Sequence, residues 1–322
     1  MWRTLMWLQK NLTLSIPLAM LLGLGFGYAI ENASFLKSLI LPLTFLMVYP
    51  MMVTMNMKEL FKSGGAPVQL TAILINFIFV PALGYGLGLL FFKDQALMRL
   101  GLLLVSLLPT SGMTISWTGF AKGNVPAAVK MTVVGLILGS LLTPLYLSGL
   151  LGAVVEVPLL DVFIQIIMIV FVPLVLGYFT QRWLVKNKGA ETFNKDIKPK
   201  FPPLSTLGVL GIVFVSMALK AHTIIDQPSV LLQLLLPLVV MYAVNFTLST
   251  VIAKWRFNRD DGIALVYGTV MRNLSIALAI ALGVFGTEGA EAALLIALAY
   301  VVQVQAAAWY VKLSPKLFPS SN

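Results

Sequence analysis

Apolar residues run along this chain in long stretches that are separated by short polar segments. Ten of these stretches are long enough to cross the ~30 Å hydrocarbon core of a bilayer as helices. They cover residues 12–30, 35–55, 67–92, 97–120, 125–151, 159–183, 204–219, 230–253, 263–285 and 292–311. The pattern predicts an all-α polytopic membrane protein with ten transmembrane helices.

Two of the ten stretches are interrupted in the middle by residues that suit a membrane-spanning helix poorly. The fourth breaks at residues 109–112 and the ninth at residues 271–273. A backbone that leaves the helix inside a bilayer exposes amide and carbonyl groups, which is tolerated only where protein or a water-filled cavity satisfies them. Matched interruptions in the two halves of a chain are typical of secondary transporters, whose binding sites lie near the bilayer midplane. We therefore expect broken helices four and nine to form the functional site.

The longest polar connection, residues 185–203, indicates how the chain is divided. Residues 1–184 hold a first five-helix repeat together with helix six, residues 185–203 form a cytoplasmic linker, and residues 204–322 hold the rest of a second repeat. Because each repeat has an odd number of spans, two similar repeats must insert with opposite orientation. The sequence thus predicts two inverted five-helix repeats.

Composition and charge agree with a membrane protein and indicate its orientation. The chain is 59% hydrophobic with a mean hydropathy of +0.94, and only 11% of it is charged, against about 25% in soluble proteins. Its 22 Lys and Arg exceed its 12 Asp and Glu, giving a net charge of +10. With the N-terminus inside, only Lys37, Lys93, Arg99 and Lys220 fall in outer loops, and all others except the intramembrane Lys130 and Arg272 fall in cytoplasmic loops. We predict a multi-pass protein of the cell membrane with both termini cytoplasmic, and we expect no nucleic-acid partner.

Several function classes are excluded by what the spans lack. The chain has no cysteine, so thiolate metal sites and cysteine nucleophiles are absent. No Gly-Lys-Ser/Thr phosphate loop is present for direct use of ATP. No cluster of acids, histidines or metal ligands lies within a predicted span. We predict no enzyme activity, no catalytic residue, no metal site and no cofactor, with a bound sodium ion as the alternative to the last.

Arg272 is the most costly residue of the predicted spans. An arginine at the centre of a helix costs ~2.5 to 3.5 kcal/mol on insertion scales, so its guanidinium should face a partner or a cavity. No carboxylate lies within a predicted span to pair with it. The partners expected are the carbonyls at a broken helix end, Ser111, Thr114, Asn273 or an anionic ligand. In one interpretation it binds substrate; in the other it permanently neutralises the carbonyl end of a half-helix, in place of a sodium ion.

Ion coupling has three candidate residues. Arginine stays protonated, whereas a lysine removed from water can release its proton, so Lys130 is the candidate proton carrier. The alternative is that Lys130 extends to the cytoplasmic surface. Thr132 lies nearby on the same helix, and Gln303 is the best placed of the amides within spans, although such amides more often join helices.

Short motifs around the interruptions resemble a known family. Pro-Thr-Ser-Gly-Met-Thr at 109–114, Ala-Lys-Gly-Asn-Val at 121–125 and Leu-Thr-Pro at 142–144 are similar to the fourth and fifth helices of the bile acid:sodium symporter superfamily. Met113 with Trp117, and the segments 277–281 and 302–305, look more like its arsenite-permease branch. The resemblance implies a panel domain of helices 1, 2, 6 and 7 and a core domain of helices 3–5 and 8–10, in which the broken helices cross.

The chain departs from the sodium-coupled branch at several positions. Thr114 and Thr132 match hydroxyl ligands of sodium in that branch, but Ile115 and Ala128 stand where side-chain oxygens are expected. Gly268 stands near the position at which the sodium-coupled branch has an acidic residue. In the arsenite branch a cysteine follows the proline of the first break, where this chain has Thr110.

Together these features predict a secondary active transporter that moves a small organic anion by alternating access, coupled to protons or sodium. The alternative is an efflux permease for arsenite or another arsenic hydroxide. The predicted substrate-binding residues are Thr110, Ser111, Thr114, Arg272, Asn273 and Ser275, and the predicted ion-coupling residues are Lys130, Thr132 and Gln303. Its expected partners are the lipid bilayer and a small anionic or arsenic-containing substrate.

Overall fold

The computed structural model describes residues 2–30, 33–55, 65–152, 158–226, 229–286 and 288–319. Lys58 and Lys62, two of the residues assigned to cytoplasmic loops, lie outside these ranges. The described residues form helices and no strand. The α-helices are α1 Trp2–Lys10, α2 Leu12–Ala29, α3 Ile40–Thr54, α4 Ala66–Phe91, α5 Ala96–Leu107, α6 Gly112–Phe120, α7 Val125–Leu151, α8 Leu159–Lys188, α9 Ala190–Leu219, α10 Ala221–Asp226, α11 Ser229–Arg256, α12 Arg259–Val270, α13 Leu274–Val284 and α14 Gly289–Leu317. A 3₁₀ helix, Ala33–Leu39, leads directly into α3 and extends it to membrane length.

The helices have the lengths that a membrane requires. Among the described residues, eight helical segments are long and apolar enough to cross a bilayer. The two remaining predicted spans, 97–120 and 263–285, are each present as two shorter helices, α5 with α6 and α12 with α13. Their ends coincide with the interruptions that the sequence predicts. The all-α class is confirmed, and the ten-span inverted repeat stays a prediction.

The structure differs from the sequence prediction at residues 185–203. Helix α8 continues to Lys188, and α9 begins at Ala190. Only Gly189 lies outside these helices, with a φ of +84° that favours glycine. Lysine is a good helix former, and its charge is hydrated on the outside of a helix as well as in a loop, so a polar segment with five lysines does not have to leave the helix.

The chain divides into two compact units. Unit 1 comprises residues up to Met55, Pro158–Leu231 and Ser275–Ala297; unit 2 comprises Asn56–Val157, Leu232–Leu274 and the residues from Leu298 onward. In unit 1, α9 packs against α2 and α3. Gly23 and Gly27 permit this approach, since a Cβ on either would meet the backbone of α9 at 2.4 Å or less. These glycines serve helix packing, as small residues do in membrane proteins.

Unit 2 is built around α12. Residues 262–270 of this helix are all buried, and α4, α6 and α7 pack against it. Its composition alone would not identify it as a core helix, because Arg259, Asp260 and Asp261 form its first turn. The buried end of α12 leads directly into the second interruption.

Candidate functional site

The two interruptions meet in unit 2 and satisfy each other's backbone. Segments 108–111 and 271–273 form an antiparallel bridge between Pro109 and Arg272. The Thr110 amide donates to the Met271 carbonyl at 2.7 Å, and the Asn273 amide donates to the Leu108 carbonyl at 2.7 Å. Buried backbone groups outside a helix need such partners. The crossing is therefore a self-satisfied pair of extended segments, each joining the end of one helix to the start of another.

Thr110 is held in an unfavourable backbone conformation at the crossing. Its φ is +60°, in the left-handed region that β-branched residues rarely adopt. Such a conformation costs roughly 1–3 kcal/mol and persists where the surroundings fix it. Its hydroxyl donates to the carbonyls of Pro109 at 2.7 Å and Thr132 at 3.3 Å. Thr132 in turn donates its hydroxyl to the Ala128 carbonyl at 2.8 Å.

Ser111 and Thr114 start the helix that follows the first interruption. The Ser111 hydroxyl accepts from the Met113 amide at 3.2 Å, and the Thr114 hydroxyl accepts from the Ser111 amide at 3.1 Å. This reciprocal pair is a capping box, which satisfies the free amides of α6. Both side chains are buried, so the local role of these hydroxyls is to cap the helix; their contact with substrate stays a prediction.

Arg272 is enclosed by oxygen atoms of unit 2. It is 1% exposed, and its Nε donates to the Val105 carbonyl at 3.1 Å. One terminal nitrogen donates to the Asn76 side-chain oxygen at 2.6 Å and to the Thr269 carbonyl at 3.0 Å, and the other donates to the Ser106 carbonyl. The three carbonyls belong to the last turns of α5 and α12, where carbonyls lack partners within their helix.

The positive charge of Arg272 has no acidic partner in this environment. The ion pairs among the described residues are Lys195 with Glu191, Lys220 with Glu291 and Arg259 with Asp260. Of the partners named in the sequence prediction, the helix-end carbonyls are present, and the contacts to Ser111 and Thr114 are not among its hydrogen bonds. The charge is instead stabilised by the negative ends of two helix dipoles.

Gln303 holds the backbone of Arg272 in place. Its side-chain oxygen accepts from the Arg272 amide at 2.7 Å and from the Tyr242 hydroxyl at 2.9 Å, and its amide nitrogen donates to the Arg272 carbonyl at 3.3 Å. Gln303 is fully buried. It therefore contacts the second interruption directly, in addition to joining α11 and α14.

Asn76 belongs to the site and is absent from the residues predicted from the sequence. Besides accepting from Arg272, its amide nitrogen donates to the Gly268 carbonyl at 2.9 Å. It lies in a π-helical turn of α4, Ile75–Phe79, and such turns are frequent at functional sites. The available signal was an amide in the middle of an apolar stretch. Asn245 has a related role, since it donates to the Thr269 carbonyl at 2.9 Å.

The position near which the resemblance expects an acid is closed by packing. A Cβ on Gly268 would lie 2.2 Å from the Met131 sulfur. Ala128, which stands where a side-chain oxygen ligand is expected, is fully buried and has no side-chain oxygen.

The remaining predicted site residues are Asn273, Ser275 and Lys130. Asn273 is 8% exposed and follows Arg272 directly. Ser275 is equally buried and lies in the first turn of α13, in unit 1. Lys130 is half-buried on α7, two residues before Thr132. Hydrogen bonds thus bring together Thr110, Thr132, Arg272 and Gln303 around the crossing.

Apolar helices of membrane length and a buried polar crossing of interrupted helices define a membrane transporter. The chain belongs to the sodium bile acid symporter family, whose model matches residues 41–227. It is 26% identical to the arsenical-resistance protein Acr3 of Corynebacterium glutamicum, over 97% of this chain and 91% of that protein. It is also 26% identical to the Acr3 protein of Alkaliphilus metalliredigens, over 84% of this chain and 80% of that protein. With the sodium/bile acid cotransporter 7 of Mus musculus it shares 27% identity over 53% of this chain and 50% of that protein.

Proposed function

We propose that this chain is a secondary active transporter that moves a small organic anion across the cell membrane by alternating access. Its ten spans form two inverted five-helix repeats, and broken helices four and nine cross in the core domain beside the substrate. The observation that carries this proposal is the buried crossing of segments 108–111 and 271–273, since irregular backbone at this depth is characteristic of transport sites.

The preference for an anion rests on electrostatics. Arg272 carries a buried positive charge without an acidic partner among the described residues. Helices α6 and α13 both begin at the crossing, and helix N-termini favour negative groups. The guanidinium itself is occupied by oxygen atoms of the protein, so Arg272 acts through its field and by fixing the helix ends.

Arg272 also replaces a free cation in this proposal. Carbonyl and amide oxygens of Val105, Ser106, Thr269 and Asn76 surround its guanidinium, and oxygen atoms of this kind are the ligands that hard metal ions prefer. A cation that is covalently attached cannot leave with the substrate. The carrier therefore works without sodium, and the remaining candidate for coupling is a proton carried by Lys130.

Efflux of arsenite or another arsenic hydroxide is the second candidate function. The similarity to arsenical-resistance proteins along almost the whole chain favours it. The absence of cysteine opposes it, because a trivalent arsenic atom has no thiolate to bind and Thr110 stands where the resembling branch has a cysteine.

A thermal-shift screen of the purified protein distinguishes the two functions, because a ligand that binds the folded state raises its melting temperature. The ligands are benzoate, 2-naphthoate, cholate and arsenite, each added without sodium, with sodium chloride tested separately. We expect stabilisation by an organic anion and none by arsenite or sodium chloride. Stabilisation by arsenite alone would favour efflux of arsenic, and Thr110→Cys, which restores the thiol, should increase it. A protein that responds to none of the organic anions contradicts the proposed anion transport.

A further inference from the structure

Helices α11 and α14 of unit 2 lie side by side and run in the same direction. The Tyr242 hydroxyl donates to the Gln303 side chain at 2.9 Å, and two turns further on the hydroxyls of Thr250 and Tyr310 share a hydrogen bond. The two pairs are separated by 61 and 60 positions in the chain, so the helices keep one register along this stretch. Their C-terminal ends therefore lie at the same level.

Helix α12 covers one side of this pair. Tyr267 donates its hydroxyl to the Ala307 carbonyl of α14 at 3.2 Å, and Asn245 of α11 donates to the Thr269 carbonyl at 2.9 Å. The side of α11 and α14 that faces away from α12 forms a second groove, which we call the outer groove. Its residues are Thr247 and Lys254 on α11 and Ala306, Trp309, Lys312 and Lys316 on α14.

Three lysines converge on the C-terminal end of the outer groove. Lys254 follows Thr250 by one helical turn, on the side of α11 that borders α14. Lys312 and Lys316 follow Trp309 by three and seven residues, a spacing that places all three on one face of α14. Each of the three lysines is exposed. Two helices thus bring three ammonium groups to one end of one groove.

These lysines have no acidic partner among the described residues. Helix α11 contains no acid, and the one acid of α14, Glu291, lies in its first turn. The acids that follow α11 are already bound: Asp260 pairs with Arg259 at 2.9 Å, and Asp261 accepts from the Asn124 side chain at 2.6 Å. The positive charge at the end of the groove is therefore available to an anion from outside the chain.

Trp309 indicates what kind of anion the groove fits. Its side chain is 63% exposed, and the Lys312 ammonium lies 5.0 Å from its ring centroid. Exposed tryptophans of membrane proteins lie at the level of the lipid headgroups, and lysine side chains extend to the same level. Toward the membrane the groove continues between the small side chains of Thr247 and Ala306, which leave room for an acyl chain. An anionic group with an apolar chain attached matches both parts.

We propose that the outer groove binds an anionic phospholipid, with its phosphate among the three lysines and an acyl chain between Thr247 and Ala306. The charge pattern assigns these lysines to the cytoplasmic side, so the lipid comes from the cytoplasmic leaflet. The site lies within unit 2 and does not depend on what the chain transports.

Other basic residues at helix ends lie outside the groove and provide a matched control. Arg256 follows Lys254 by two residues and lies about 200° around α11 from it, with its guanidinium 5.7 Å from the Trp255 ring centroid. Lys186 and Lys188 are exposed at the end of α8 in unit 1. Replacing these three residues removes as much charge as replacing the three lysines of the groove.

Native mass spectrometry of the full chain in detergent tests the proposal, because it measures the binding of individual lipids. The probes are phosphatidylglycerol and phosphatidylcholine with the same acyl chains, which differ in the charge of the headgroup. We expect phosphatidylglycerol to bind about tenfold or more tightly. The triple variant Lys254→Gln/Lys312→Gln/Lys316→Gln should abolish this difference, arginine at the same positions should retain it, and glutamine at the three control positions should leave it unchanged.

Four results would overturn the proposal. They are equal binding of the two lipids, a preference that persists in the groove variant, an equal loss in the control variant, and displacement of phosphatidylglycerol by soluble glycerol phosphate at equal concentration. The last result would show that the lysines bind a free phosphate and that the acyl chain contributes nothing.

A second measurement locates the lipid without altering the lysines. Because the chain contains no cysteine, Thr247→Cys introduces a unique thiol in the groove, to which a fluorescent label can be attached. The nanodiscs contain equal amounts of phosphatidylglycerol and phosphatidylcholine, and one lipid at a time carries bromine on its acyl chains as a contact quencher. We expect brominated phosphatidylglycerol to quench this label several-fold more than brominated phosphatidylcholine. A label at Val175→Cys, on an apolar side chain of α8 that is 52% exposed, should be quenched equally by both. Equal quenching at position 247 would overturn the proposal even if the lysine variants fail to fold.

Discussion

At the scale of single residues, the guanidinium of Arg272 determines what the crossing can do. It satisfies carbonyls at the ends of two helices and one amide oxygen, all of them buried. An unsatisfied buried acceptor costs about 1–3 kcal/mol, so removing this side chain affects several groups at once. The same oxygens would then be available to a free cation.

Replacing Arg272 by glutamine should therefore exchange a tethered cation for a dissociable one. We expect Arg272→Gln to melt at a lower temperature than the parent protein in choline chloride, and to recover part of this loss in sodium chloride. The parent protein should melt at the same temperature in both salts. Arg256→Gln, at the exposed end of α11, is the control and should behave like the parent protein. The proposal that Arg272 takes the place of a free cation is refuted if Arg272→Gln melts at the same temperature as the parent protein in choline chloride. It is also refuted if sodium stabilises the parent protein.

Lys130 is the second residue with a separable role. If it carries the coupled proton, an imposed proton gradient should accelerate anion transport by the parent protein, and Lys130→Met should transport at a rate that the gradient does not change. Lys122→Met, an exposed lysine in the turn before α7, serves as the control. A gradient response that persists in Lys130→Met excludes Lys130 as the proton carrier. If Lys122→Met loses the response to the same extent, the loss results from removing any positive charge near this surface and not from the proton carrier.

At the scale of helices, the positions of the two interruptions could be predicted from the sequence, but the residues that contact them could not. Pro109 has no amide hydrogen to donate, and the polar residues Thr110, Ser111, Arg272 and Asn273 suit a helix in hydrocarbon poorly. Local chemistry therefore fixes where α5 and α12 end. The contact of Arg272 with Asn76 joins residues 196 positions apart, which no local pattern indicates. For the same reason, the sequence showed hydroxyls at 111 and 114 but not that they would cap α6.

The packing of α12 against α7 gives a prediction at this scale. Gly268 faces Met131 so closely that a methyl group would overlap the sulfur. Gly268→Ala should therefore destabilise the protein by about 1–3 kcal/mol, as overpacking does. Met131→Ala in the same chain should recover much of the loss, and a double-mutant cycle of melting measurements determines the coupling. Gly86→Ala on α4, where a Cβ has open space, is the control and should be neutral or slightly stabilising. Additive effects of the two changes would show that this contact does not limit the packing.

At the scale of the whole molecule, the charge pattern and the helix lengths describe a protein that crosses the membrane many times. Eight helical segments reach membrane length among the described residues, and the two further spans that the sequence predicts are present as pairs of shorter helices. The polar segment 185–203 was predicted as a linker because composition alone does not distinguish a hydrated helix from a loop. The excess of Lys and Arg, by contrast, can be counted without knowing where helices end.

An orientation test follows from that excess. We expect a fluorescent reporter that folds only in the cytoplasm to be bright at either terminus, and a periplasmic phosphatase reporter to be active only when fused in outer loops, such as the one that holds Lys93. Opposite signals at the two termini would mean an odd number of spans, which the two five-helix repeats do not allow.

Anion uptake into proteoliposomes, measured with and without sodium, is the most direct test that the tethered guanidinium takes the place of a coupling ion. The labelled substrate is the organic anion that most stabilises the purified protein, and choline replaces sodium in the matched condition. We predict equal uptake in both salts for the parent protein and sodium-dependent uptake for Arg272→Gln. Uptake by the parent protein that requires sodium would contradict the role assigned to Arg272.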